Sequence, residues 1–202
     1  MDYGIRLRAI GWFFGRLTRR DVAAPVRRRV AREYAAILRR AKPMSQDSLV
    51  TSYAMGAYFI AMNRHTGLTA EENYLAIEHG FETSRLIRRA AGSVGGSYLS
   101  PSKTKGHLKN AAESHRLQGE NNWVFDIVEP DGTFDFGLDY TACGICRLCA
   151  DEGHPELMPY LCRLDYPMAE MMDLRLTRTK IISGGDDRCD FRYSAKTTED
   201  RE

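Results

Sequence analysis

Two runs of alternating apolar and polar residues, each doubled back about a turn rich in Gly and Asp, limit what this chain can fold into. Trp123, Phe125 and Ile127 alternate with Val124, Asp126 and Val128, and after Glu129-Pro130-Asp131-Gly132 the residues Phe134, Phe136, Leu138 and Tyr140 alternate with Asp135, Gly137 and Asp139. Period-2 runs flanking such a turn are the pattern of a β-hairpin. A second hairpin follows: Leu174 to Ile182 alternates, Gly184-Gly185-Asp186-Asp187 turns, and Cys189, Phe191 and Tyr193 share one face of the closing strand. Between the hairpins, 142–172 reads as a helical span punctuated by Gly153, Pro155, Pro159 and Pro167.

Upstream, the periodicity is helical. Ile10, Phe13, Phe14 and Leu17 form one stripe of a basic amphipathic helix in 1–20. Val26, Val30, Tyr34, Ile37 and Leu38 form another, closed by Lys42-Pro43. A third helix follows Asp47, with Met55, Tyr58, Phe59 and Met62 on its core side; Gly67 ends it and Thr69-Ala70-Glu71-Glu72 reads as a capping box for a fourth. That helix buries Tyr74, Ile77 and Phe81 and is expected to end near Gly92. The stretch 92–106, rich in Gly and Ser, reads as a mobile loop, and a short polar helix over 107–118 carries His107 and His115 at the surface.

These elements predict an α+β fold: an N-terminal helical half packed against a four-stranded antiparallel sheet made of two hairpins with a helix between them. One domain over 1–202 is expected, comprising the basic helix 1–20, a helical part 21–118, the hairpin-helix-hairpin part 119–194 and a disordered tail 195–202.

The formal charge of +2 hides an asymmetry, because residues 1–42 hold twelve Lys and Arg against Asp2, Asp21 and Glu33, for +9, leaving −7 for the rest. A basic amphipathic helix suits a peripheral membrane contact or a transit segment, and equally a helix packed on its own domain or in a homo-oligomer. Arg27-Arg28-Arg29 lacks the interleaved aromatics of a single-stranded nucleic-acid groove, so no nucleic-acid partner is expected. The five cysteines follow no cleavable apolar leader, which fits reduced thiols in a cytoplasmic protein.

Cys143, Cys146 and Cys149 have an iron–sulfur-like spacing, but on a helix Cys149 lies about 240° round from Cys143, so the three thiolates cannot converge there. A second set draws on three elements: Cys143 at a strand-to-helix junction, Cys162 with Asp165 one turn later, and Cys189 with Asp190. Such Cys and Asp residues can supply a thiolate nucleophile with an acid/base partner, can hold zinc, or can be small apolar core residues. Arg178 falls on the core side of its strand by parity, where a guanidinium requires an anion, whether Asp165, Asp190 or a substrate carboxylate. Tyr140 joins Arg178 as a candidate substrate contact, and His154 before Pro155 is a candidate base.

The segments CGICRL at 143–148, PYLCRLDYPMAE at 159–170 and RTKIISGGDDRCDFRY at 178–193 resemble the L-2-amino-thiazoline-4-carboxylic acid hydrolase family. The closing hairpin is also similar to 4-vinyl reductase domains. The resemblance implies an α+β fold and hydrolytic opening of a small, anionic cyclic amidine at a C–N or C–S bond; no cofactor is expected, with zinc as the alternative. It also implies Cys189 or Cys143 as nucleophile, or a water activated by Asp165 or Asp190, with Arg178 for the substrate carboxylate. The rival expectation is a non-catalytic small-molecule or metal-binding module.

Overall fold

A computed structural model describes residues 3–196. The chain runs α1 (Tyr3–Leu17), α2 (Ala24–Arg40), α3 (Val50–His65), α4 (Ala70–Thr83), α5 (Arg85–Tyr98), α6 (Pro101–Ser114), β1 (Val124–Val128), β2 (Phe136–Ala142), α7 (Gly144–Asp151), α8 (Met158–Arg163), α9 (Asp165–Met171), β3 (Leu174–Thr177) and β4 (Cys189–Ala195). Short 3₁₀ turns precede α3 and α8, and a third lies between β3 and β4.

From Tyr53 to Met62 every side chain of α3 is buried. A helix apolar on all sides has to lie in the middle of the fold, and α1, α2, α4 and α7 pack around it. The stripe of α1 points inward through Phe14 and Leu17, and the Tyr34 hydroxyl of α2 donates to the Leu7 carbonyl at 2.6 Å. Thr69 and Glu72 form the expected reciprocal cap on α4, and Gly67 takes a left-handed φ of 74° just past α3.

The four strands form one antiparallel sheet in the order β1-β2-β4-β3. Phe125, Tyr140 and Cys189 stand in line across three strands, as do Phe136, Tyr193 and Leu176. This face meets α6 and α9. Asp139, Asp190 and Arg192 lie on the other, polar face, where Arg192 and Arg188 pair with Asp139 at 2.8 and 3.1 Å. Apolar-in and polar-out alternation is what an antiparallel sheet covered on one side requires.

Several expectations need correction. The stretch 92–106 is helical, split between α5 and α6. Its glycine at 95 serves packing, since a Cβ there would stand 1.8 Å from the Met172 carbonyl oxygen. His107 is half-buried against Tyr98 and Phe136, with ring centroids at 4.9 and 4.8 Å, whereas His115 stays exposed and meets Asp126. The third strand stops at Thr177, because the Asp190 carboxylate takes the amides of Thr179 and Lys180 out of the ladder at 2.8 and 2.6 Å. The expected tail begins too early: Ala195 closes β4 and Lys196 pairs with Glu170. Residues 197–202 lie outside the described residues.

Candidate active site

β2 delivers the chain into α7 at Cys143, whose extended backbone (φ −122°, ψ 116°) caps the helix. The next residue has to be glycine. A Cβ on Gly144 would stand 2.2 Å from the Asn121 carbonyl oxygen and 2.7 Å from the Trp123 ring. This close approach sets the start of α7 against the wall that begins the sheet. Gly56 of α3 supports the next turn, where a Cβ would stand 2.9 Å from Ile145.

Cys143 therefore stands at the N-cap of a helix. The Cys146 thiol, one turn on, donates to it and lowers its pKa; burial and the Asp165 charge oppose this, while the amides of Cys146 and Ile145 reinforce it. Cys146 is pushed the other way, by its bond to Cys143 and by burial, and stays protonated. Half-buried Cys143 is thus the thiol prepared to ionise. The remaining cysteines are not. Burial pushes Cys149 and Cys162 up to about 12, and it raises Cys189 although the Ile182 amide donates to its sulfur at 3.2 Å.

Asp165 opens α9 on the same side of the sheet as Cys143. Burial pushes its carboxyl up to about 6, against the pull of Arg178, whose Nη1 donates to Oδ2 at 2.8 Å. The Asp165 side chain is still 29% exposed, whereas that of Arg178 is 1% exposed. Arg178 gives Nη2 to the Cys162 carbonyl at 2.8 Å and lies 4.8 Å from the Phe191 ring and 5.3 Å from that of Tyr166. Its Nε has no hydrogen-bond partner. Both terminal nitrogens are committed within the protein, so the anion that a buried guanidinium requires is Asp165.

Tyr140 stands opposite Cys189, its ring 5.0 Å from Phe125 and 5.3 Å from Phe191. Burial, aided by Asp165, Cys143 and Cys189, holds its hydroxyl well above the usual range, so it remains a neutral phenol. Cys162 is 3.5 Å from the Ser183 hydroxyl.

Cys143, Cys162, Asp165, Arg178, Cys189 and Tyr140 are thereby brought together. Asp190 is not. It lies on the polar face, where burial would raise its carboxyl but the Thr179 hydroxyl (2.5 Å) and two loop amides outweigh that and keep it ionised. His154 also belongs elsewhere: its Nε2 accepts from Arg64 at 3.2 Å, so Nδ1 carries the proton and donates to Glu156 at 2.9 Å. Arg64 also binds Glu33 and Glu152, joining α2, α3 and the end of α7. Among the described residues, no three of His, Cys, Asp and Glu are grouped to hold a metal ion. A groove of about 1,210 Å³ lies between α1 and α2 and shares no lining residue with the cysteine set.

The sequence model of the L-2-amino-thiazoline-4-carboxylic acid hydrolase family matches residues 47–193, from the turn before α3 through most of β4. The chain belongs to that family. The match takes in α3 to α6 as well as the cysteine-bearing block, while α1 and α2 lie before it. Comparison with curated proteins and with solved structures gives no match. Cys146, absent from the Cys and Asp set read from the sequence, lies one turn past Cys143 and perturbs its thiol. The signal for it was the C-x2-C spacing across a strand-to-helix junction, which puts the second thiol one turn above the first.

Proposed function

We propose that the chain is a hydrolase that opens a small cyclic amidine such as 2-aminothiazoline-4-carboxylate, with Cys143 as nucleophile and Asp165 as proton carrier. The observation that carries this reading is the place of Cys143 at the N-cap of α7, where the neighbouring Cys146 thiol lowers its pKa from the ordinary value. Such a setting favours thiolate over thiol. Asp165, held near neutrality by burial, is matched to give and take a proton.

In this reading the Cys143 thiolate attacks C2 of the ring. The C2–S bond breaks, and the departing ring sulfur takes the proton of Asp165. The substrate is then an isothiourea on Cys143. Water adds to the same carbon, giving a proton back to Asp165, and the bond to Cys143 breaks. One water is consumed, and the product carries a free thiol and a ureido group. Arg178 is a positioning residue: it holds Asp165, and to meet a substrate carboxylate it would have to give that partner up. Tyr140 and Cys189 offer a neutral hydroxyl and thiol beside the reacting centre.

The test is release of thiol from 2-aminothiazoline-4-carboxylate by purified protein, with mass spectrometry of quenched reactions. Cys143→Ala is expected to abolish turnover, with the adduct mapped to Cys143 in the parent. Full turnover in Cys143→Ala would sink the thiolate mechanism, and substrate-dependent thermal stabilisation without thiol release would identify a binding module.

A further inference from the structure

The region before the family match carries a different kind of feature. Along α1, Arg8, Trp12 and Arg16 fall on one outward stripe, with Arg19 just past its end, and along α2 Arg28, Arg32 and Arg39 share one stripe. All seven are exposed, Trp12 to 68%. Together they flank the groove of about 1,210 Å³, whose floor is apolar and shallow: Leu7, Gly11, Ala31, Tyr34, Ala35 and Leu38. The floor is close-packed because Gly11 lets α2 approach, a Cβ there meeting Tyr34 Cε1 at 2.3 Å.

Charge compensation is missing from this face. Asp21 turns to His79, Glu33 to Arg40 and Arg64, and Asp47 to Arg6. Among the described residues, no carboxylate pairs with any of the six arginines on the two stripes. Arg27 differs, since it closes the end of α1 by donating to the carbonyls of Arg19 and Val22. The Arg16 guanidinium lies 5.7 Å from the centre of the Trp12 ring.

We propose that the α1–α2 face docks on an anionic phospholipid surface. Six unpaired arginines around one exposed indole suit a headgroup layer, where guanidinium binds phosphate and indole prefers the polar–apolar boundary. An apolar floor between the arginine rows accepts a lipid's glycerol or upper acyl carbons. A nucleic-acid strand would instead call for several exposed rings on which to stack its bases. The contact is peripheral, because the apolar stripe of α1 is already packed on α3 and is not free to enter the bilayer. Among the described residues no helix is long and apolar enough to cross a membrane. The face shares no residue with the cysteine set, so the proposal stands independently of the hydrolase reading.

The whole protein, at low and high salt, is to be sedimented with phosphatidylcholine vesicles prepared with and without phosphatidylserine. The expected result is binding to the phosphatidylserine vesicles alone, lost in high salt. Trp12 should become protected from aqueous quenchers, since Trp123, the second tryptophan, is already buried. A triple variant, Arg16→Glu with Arg28→Glu and Arg32→Glu, is expected to weaken partitioning at least about 100-fold while keeping its circular dichroism, because all three side chains are exposed and, among the described residues, none pairs with a carboxylate. Trp12→Ala should weaken it less and remove the protection signal. Three results would overturn the proposal: no binding to phosphatidylserine vesicles, equal binding by the triple variant, or a dimer in light scattering that the same reversals dissociate. Tight, salt-sensitive capture of a labelled oligonucleotide with refusal of vesicles would likewise reassign the face.

Discussion

Arg178 and the six arginines of α1 and α2 carry the same group in opposite circumstances. Arg178 has 1% of its side chain exposed, with a carboxylate, a carbonyl and two rings around it. Arg8, Arg16, Arg19, Arg28, Arg32 and Arg39 are exposed and, among the described residues, pair with no carboxylate. A guanidinium out of water has to be paired, and once paired it fixes geometry. One left in water needs nothing from the protein and remains available to something outside it. The buried arginine therefore orders the site, and the exposed ones can recruit. In the proposed reading the sheet face carries the chemistry and the α1–α2 face the docking.

The sharpest way to separate the two regions is at the thiol. Cys143→Ala is expected to lower kcat at least about 10³-fold, as loss of a nucleophile does. Reversing the exposed arginines should leave kcat on a soluble substrate unchanged. Steady-state kinetics on both proteins checks this.

Stability gives the next contrast. Arg178→Met leaves Asp165 without its cation and is expected to cost about 3 kcal/mol in urea unfolding. Pairing it with Asp165→Asn should recover part of that loss. Arg28→Ala or Arg32→Ala should stay within about 0.5 kcal/mol of the parent.

The pH dependence has a definite sign. Asp165 titrates at about 6 in the folded protein, above the ordinary value near 4, so the fold holds this proton more tightly than the unfolded chain does. Its contribution is fully present below about 4 and is lost as pH rises through about 6. As the proton donor to the leaving sulfur, Asp165 should also make kcat fall above about 6, where its protonated fraction declines. Asp165→Asn is expected to remove both trends and to lower kcat about 10²-fold. A pH–rate profile with the same alkaline limb in Asp165→Asn would assign that limb to another group.

The smallest expected effect is at Cys146. Cys146→Ala removes the donor to Cys143 and should move the Cys143 alkylation profile to higher pH. The two amides remain, so part of the lowering should persist. An unchanged iodoacetamide profile would show that the amides alone suffice.

Much of the fold was legible because it rests on local rules. Period-2 runs, turn residues, a capping box and a left-handed Gly67 are each decided within a few positions. The glycines at 92–106 misled because what they serve is distant: Gly95 meets Met172, far along the chain. Distance also hid the fate of Asp190. Adjacent to Cys189 in sequence, it lies on the opposite face by the alternation of β4, and its loop amides hold it there. Parity worked for Arg178 even though its strand ends one residue earlier. Cys146 is invisible to a reading of three cysteines as one ligand set, because its effect comes from pairing with Cys143 at a helix start.

Gly144, beside the proposed nucleophile Cys143, fixes more than the start of α7. Because Gly144 abuts Asn121 and Trp123, the thiol is registered to the first strand's edge, while Asp165 is registered to α9, which rests on the far strand. The gap between them is thus a gauge of how the helical layer sits across the sheet. A molecule that bridges Cys143 and Asp165 would clamp one layer to the other.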